Sequence, residues 1–456
     1  MTSPQTRLQH LRARTEVLMP QVIDDLAALV AMPSVAFPDF PARPVIEAGE
    51  ATAALLRRCG LDGARLIEIP DGFPLVYGEA PAAPGAPTVL LYAHYDVQPV
   101  PEPSEWTSDP WALVERDGRL YARGAADDKS GVVMHAAALS LLGASRRVGI
   151  KAVIEGEEET ESHLPAFIDA NPELFAADVI LVADMGNPAV GQPALVTALR
   201  GEIPVVITVK TLSRRSHSGA FGGPVPDAMM ALVRILDSLV DEKGDVAVEG
   251  MQFNASSGDP DTDSDRQIEG LRRAAGMLAG TEVIGSGSLP TRLWSRPSAT
   301  IIGLDAPSVT EAGNSLLPTA RAKVSFRTVR PADSGVETQA IAAHLRAHTP
   351  FGAQVHVDIL DCTPAFSVQE GAAHLVAKRA LEEAFGVPCV VRGSGASIPL
   401  LGHLRAAAPD AEFILYGAED GERSRIHDAD ESVDVHDLER TILAEALMLS
   451  RLGEER

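Results

Sequence analysis

The chain has 456 residues, 45% hydrophobic and 22% charged, which excludes disordered and fibrous classes and predicts two domains rather than a single core. A formal charge of −24, from 63 acidic against 39 basic residues, argues against nucleic acid or an anionic membrane as a partner. No run of eighteen apolar residues occurs, so no membrane span is predicted.

Residues 1–35 read as an amphipathic helical entry in which Arg12, Arg14, Glu16, Asp24 and Asp25 interrupt every apolar run, with no signal-peptide core. Cys59, Cys362 and Cys389 lie far apart, with neither zinc-ribbon nor disulfide spacing. Buried thiols in a reducing compartment, the cytoplasm, are therefore expected. Between residues 87 and 184, apolar runs at 89–93, 148–154 and 179–183 alternate with helical patterns, including a helix over 131–142. This is the α/β signature of a sheet buried on both faces.

After Arg200 the grammar changes. Strands are predicted over 204–210, 300–304, 322–328 and 355–360, with helices over 226–239 and 339–347, in the β-α-β-β-α-β order of a small sandwich. The stretch 241–298, rich in Gly, Ser and Asp, reads as a loop-heavy insertion. From residue 363 the first grammar returns, with a helix over 372–384, strands at Cys389 and 413–416, and a last helix from Val435. The expected fold is thus α/β, with a catalytic domain over 1–200 and 363–456 interrupted by a domain over 201–362.

The ends of the buried strands carry the chemistry. The first ends in His94, Tyr95 and Asp96, the second in the acidic run 155–159, the third at Asp184, and a loop after the strand ending at Tyr416 carries His427. Ligands of open α/β sheets bind at the carboxyl ends of strands, so these segments converge on one rim, joined by Asp127 and Asp128 just before a helix. Two imidazoles with several carboxylates suit zinc, manganese or cobalt better than magnesium or calcium, which prefer oxygen shells.

Paired cations about 3.5–4 Å apart need a carboxylate that gives one oxygen to each. Asp127 is the candidate for that bridge, with His94 and Asp184 completing one site and Glu159 and His427 the other. Side chains of adjacent residues in an extended segment diverge, so Glu158 is left free as the base that takes a proton from an acidified water and delivers it to the leaving amine. Asp96 is placed to accept the second N–H of the His94 ring. Taken singly, His94 could be a hydrogen-bonded strand end, Asp184 a turn cap, the acidic run a solvated loop, and His436 a rival to His427; the shared rim favours the ligand reading. Lys129 is expected in a structural ion pair.

At these residues the sequence resembles the M20 metallopeptidase family, which includes carnosinase-like dipeptidases, aminoacylases and succinyl-diaminopimelate desuccinylase. Residues 90–99 (LLYAHYDVQP) look like the dipeptidase branch, and 121–131 (YARGAADDKSG) are similar to the family's second motif. The resemblance implies a zinc-peptidase-like catalytic domain with a mixed, mostly parallel sheet between helices, an inserted α+β sandwich serving as lid and dimerisation domain, and two divalent ions, zinc foremost. It also implies a cis bond between Asp127 and Asp128.

Residues 216–223 (SHSGAFGG) look like the segment whose histidine, here His217, reaches across a homodimer to stabilise the oxyanion. Residues 326–331 (FRTVRP) resemble the segment whose arginine, here Arg327, holds a substrate carboxylate, with Asn314 assisting. Residues 393–399 (GSGASIP) resemble the glycine-rich substrate loop and contribute Ser394, Gly395 and Ser397. Two departures stand out: Ser394 where many relatives have Glu, and Glu161-Ser162 where Gly-Ser is usual. The expected activity is hydrolysis of dipeptides or short peptides. The alternative is an amidohydrolase of N-acyl amino acids, of aminoacylase, deacetylase or desuccinylase type.

Overall fold

The computed structural model describes residues 4–100, 102–251, 265–329, 334–395 and 397–454. Most of the Gly, Ser and Asp rich run (254–264), Arg330 and Pro331 of the arginine segment, and Ala396 of the glycine-rich loop lie outside them.

Among the described residues the larger sheet runs in the order Arg65–Ile67, Leu75–Ala80, Gly149–Glu155, Thr88–His94, Val179–Val182, Glu412–Leu415, Ala194–Leu199 and Phe366–Ser367, with Val390–Ser394 also pairing with Ala194–Leu199. Its central four strands, from Gly149–Glu155 to Glu412–Leu415, are mutually parallel. Antiparallel pairings flank them on both sides. The strand Thr88–His94 shows why an unbroken apolar run is needed here. Val89, Leu91 and Ala93 enter a core shared with helices Lys129–Leu142, Ala372–Phe385 and Val435–Leu452, while Leu90 and Tyr92 enter a second core with Leu164–Ala170 and Leu400–Ala407. Both faces are covered, so no polar alternation survives.

A second sheet, Ser298–Asp305, Thr319–Thr328, Gly201–Lys210 and Gln354–Ile359, is antiparallel throughout. Along Gly201–Lys210, Ile203, Val205, Ile207 and Val209 point inward and the residues between them are part-exposed, the period-2 pattern of a sheet covered on one face. Helices Ala228–Asp237 and Ser334–Ala347 cover it through Ala231, Leu232, Ile235, Ile341 and Leu345. Asp227 starts the first of these by accepting the Met230 N–H, an ordinary N-cap. The stretch predicted as loop does contain a helix, Asp265–Ala274, and a π-helical turn, Thr291–Ser295.

The three cysteines are free, but only Cys389 is fully buried; Cys59 and Cys362 are half-buried. Among the described residues no helix is long and apolar enough to cross a membrane.

Candidate metal centre

Parallel strands bring their carboxyl ends to one edge, and the predicted ligands collect there. His94 is the last residue of Thr88–His94, Glu158 and Glu159 follow Gly149–Glu155, Asp184 follows Val179–Val182, and His427 lies in the loop after Glu412–Leu415. Asp127 enters from the segment before helix Lys129–Leu142. Its Oδ1 lies 3.0 Å from His94 Nε2 and its Oδ2 3.0 Å from His427 Nε2, so each oxygen of one carboxylate faces a different imidazole. Glu159 Oε2 is 3.2 Å from the same His427 nitrogen.

Ligand atoms of His94, Asp127 and Glu159 fall within 4.8 Å of one another, as do those of His94, Glu158 and Asp184. The second group includes Glu158, which sequence reasoning set apart from the ligands. His427 itself sits at φ +64°, in the left-handed region that non-glycine residues seldom occupy outside constrained turns and functional sites.

Neighbouring groups fix these side chains. The peptide bond between Asp127 and Asp128 is cis, as the resemblance implied. Asp128 Oδ2 accepts the His94 backbone N–H at 3.2 Å. Asp96 does more than was expected of it. His94 Nδ1 lies 3.1 Å from the Asp96 main-chain carbonyl and 3.4 Å from its Oδ1, and the two carboxylate oxygens of Asp96 accept the backbone N–H groups of Glu158 and Glu159 at 3.0 Å each. One buried residue thus orients the ring, chiefly through its main-chain carbonyl, and the acidic turn through its carboxylate.

Gln98, which the sequence analysis passed over, donates its Nε2 to Glu159 Oε2 at 2.9 Å. Also missed was Glu155, fully buried, which accepts hydrogen bonds from the Tyr92 and Ser162 hydroxyls. Of the departing pair, Ser162 therefore braces the turn while Glu161 is exposed. Lys129 corrects an expectation: its ammonium donates to the carbonyls of Leu29 and Met32, both at 2.9 Å, and not to a carboxylate. Burial lowers its pKa to about 7.

The electrostatics fit a cation. Burial, reinforced by Asp127 and Glu158, pushes Asp184 well above the usual carboxylate range. Burial likewise raises Glu158 to about 8, opposed by the attraction of His94 and reinforced by the charges of Glu159 and Glu155. Glu419, further back, is raised to about 8 by burial and by Asp127. Hydrogen bonds to Asp127 and Glu159 lift His427 to about 10. Desolvation opposes ionisation of Asp127, yet the hydrogen bonds of His427 and His94 hold it below the ordinary value. Buried acids crowded around two imidazoles repel one another until positive charge joins them, and the nitrogen and oxygen donors present can hold a divalent metal ion.

The predicted substrate residues form two further groups. Arg327 Nη1 donates to Ser397 Oγ at 2.9 Å and lies 3.4 Å from Glu202 Oε2. Beside it, Arg200 donates its backbone N–H to the Ser394 carbonyl at 3.3 Å and its Nε to the Gly395 carbonyl at 3.4 Å. Sequence reasoning missed Arg200; its only signal was a basic residue at the point where the grammar changes. Burial, with Arg327 adjacent, lowers its pKa to about 10. His217 and Asn314 meet elsewhere, where the short strands Ser216–His217 and Ser315–Leu316 pair and the Ser218 N–H donates to the Asn314 carbonyl at 3.0 Å. Both residues are exposed, and among the described residues no hydrogen bond or ion pair joins either to the ligand cluster.

Residues 90–451 match the model of peptidase family M20/M25/M40. The chain is 41% identical over 417 residues to a cysteinylglycine-S-conjugate dipeptidase of Corynebacterium striatum, covering 90% of each protein. It is 30% identical over 388 residues to a β-Ala-His dipeptidase of Rattus norvegicus, covering 78% of this chain and 77% of the relative. In fold it is similar to the solved dipeptidase Dug1p of Saccharomyces cerevisiae (TM-score 0.82, 23% identity) and to human carnosine dipeptidase 1 (TM-score 0.79, 24% identity), each match covering 98% of this chain and 99% of the other. A family match that begins on the strand delivering His94 and ends in the last helix spans every segment that reaches the rim, and the chain belongs to the M20/M25/M40 peptidase family.

Proposed function

We propose that the protein is a metal-dependent dipeptidase that hydrolyses the amide bond of dipeptides or short peptides, holding two divalent ions, zinc foremost and manganese or cobalt as alternatives. The observation that carries the reading is the Asp127 carboxylate with one imidazole at each oxygen. His94 and Asp184 would hold one ion and Glu159 and His427 the other, with Asp127 a candidate ligand to both. The chemistry such ions supply is polarisation of a carbonyl and acidification of water. Glu158 takes a proton from the attacking water and delivers it to the departing amine nitrogen; the burial that raises its carboxyl favours its holding that proton between the two transfers. Asp96 keeps the His94 ring and the Glu158 turn in register.

Arg327, with Ser397, Ser394 and Gly395 of the glycine-rich loop, binds the substrate carboxylate and backbone, and Asn314, which lies beside His217, assists. The oxyanion is stabilised by the partner subunit's His217 in a homodimer formed through the domain over 201–362. The exposure of His217, and the exposed Ile301, Ile302 and Leu304 on the strand Ser298–Asp305, support that assembly. The domain division is supported by the third core, which draws only on residues 203–362, and by the backbone pairing of Glu202 with Thr363 where the chain leaves and returns. Three free cysteines support a cytoplasmic location.

The names of the relatives favour dipeptides over N-acyl amino acids. Comparing kcat/KM on a dipeptide panel, including Cys-Gly and β-Ala-His, with a panel of N-acetyl and N-succinyl amino acids tests the reading. Dipeptides are expected to lead, and preference for the acyl panel would replace this assignment with an amidohydrolase.

A further inference from the structure

We propose that Glu431 is a positioning residue for the metal centre, holding the segment that presents Asp127 without itself touching metal or substrate. The inference rests on the reading of Asp127 as the shared ligand. Glu431 lies in the same loop as His427 and is fully buried. Its Oε1 accepts the backbone N–H groups of Ala126 at 2.9 Å and Asp127 at 3.1 Å. Its Oε2 accepts the Gly124 N–H at 3.1 Å and Arg123 Nη1 at 2.6 Å.

One carboxylate therefore gathers three main-chain donors of the segment that ends at Asp127 and sets where the Asp127 Cα stands. The directions of Oδ1 toward His94 and Oδ2 toward His427 follow from that placement. Because Glu431 and His427 share a loop, the same bonds couple two ligands far apart in the sequence. Arg123 compensates the buried charge, its guanidinium 5.5 Å from the Trp106 ring centre. A glutamine in this place has a single acceptor oxygen, and its NH2 would confront an N–H donor, so it cannot hold both ends of the segment.

A merely structural ion pair would lower stability and leave metal affinity alone, so the test reads both. Full-length protein stripped with chelator is titrated with Zn²⁺ against a competing dye, and its fold is followed by circular dichroism. Glu431→Gln is expected to raise the zinc Kd roughly 10- to 100-fold with the fold retained. Glu445→Gln, which disturbs the buried pair with His135 and has no bond to residues 123–127 among the described residues, is expected to lower the melting temperature with the zinc Kd unchanged.

Should Glu431→Gln leave Arg123 unpaired and fail to fold, Arg123→Met/Glu431→Gln removes both charges and carries the same expectation. Wild-type protein that binds no zinc would defeat the metal reading itself. Wild-type binding with Glu431→Gln within about threefold of it would overturn this inference alone, short of the loss expected for an outer-shell partner. Failure of both variants to fold would overturn it too, because Glu431 would then hold the fold and not the ligand.

Discussion

Removing the Asp96 carboxylate should loosen the acidic turn before any metal is considered. In Asp96→Ala the backbone N–H groups of Glu158 and Glu159 both lose their acceptor, at 3.0 Å each, and His94 loses its carboxylate neighbour at 3.4 Å. A hydrogen bond to a charged group contributes about 1.5–3 kcal/mol. Both donors are only part-buried, so water recovers some of this, and the loss for the pair comes to about 2–4 kcal/mol. In Asp96→Asn one carbonyl still accepts, so roughly half that loss is expected. Chemical unfolding of the chelator-stripped protein measures this term without metal, and zinc titration of the same samples measures the effect on His94, expected at roughly 10- to 100-fold in affinity. Apo Asp96→Ala as stable as wild type to within about 0.5 kcal/mol would refute the claim that Asp96 clamps the turn, because that margin is the ordinary scatter of surface substitutions.

Glu158→Gln should keep its zinc while kcat falls by about 10²–10⁴, since proton transfer is lost and all five proposed ligands remain; elemental analysis beside dipeptide turnover checks it, and near-normal kcat would contradict the assignment. His217→Ala should fold normally, the residue being exposed, yet lose about 10²–10³ in kcat if it donates to the oxyanion. Co-expression with Arg327→Ala should then restore activity in mixed dimers, and no recovery would argue against action across the interface. Burial opposes protonation of His135, but Glu445 at 2.8 Å raises its pKa above the ordinary value. The stability this pair contributes is therefore full below about pH 6.5 and is lost as pH rises through the folded value. The melting-temperature gap between wild type and Glu445→Gln should accordingly shrink with increasing pH, and a gap that widens would contradict that sign.

The parallel heart of the fold was legible because residues 89–93 and 179–183 are apolar without interruption and 148–154 is broken only by Lys151, a pattern that a doubly covered strand requires. The same logic exposed the rim, since His94 and the acidic run stand where those runs stop. The flanking pieces were not legible. Strand Leu75–Ala80 is broken by Gly78 and Glu79, Ala194–Leu199 is apolar but for Thr197 and was passed over, and helix Leu400–Ala407 follows a proline in a segment dominated by the glycine-rich loop. The turn Thr291–Ser295 was lost among polar neighbours, although Trp294 would have to move to admit any side chain at Gly393.

At the site itself, residues that point outward from strand ends could be named, whereas those acting through backbone bonds could not. Glu431 and Gln98 acquire their partners only when loops distant in sequence fold together, and nothing in their own spacing announces it. Asp96 was found for its ring contact alone; its grip on two amides needed coordinates.

A single carboxylate serving two ligand sets is the centre of the proposed site, and counting bound zinc on wild type and Asp127→Ala tests it most directly. Elemental analysis after equilibration with zinc is expected to find two ions per wild-type chain, with dipeptide hydrolysis abolished by chelation and regained on adding zinc back. Asp127→Ala is expected to hold less than one and to remain inactive. Asp127→Ala retaining the wild-type zinc content and turnover, or wild-type hydrolysis indifferent to chelation, would contradict it.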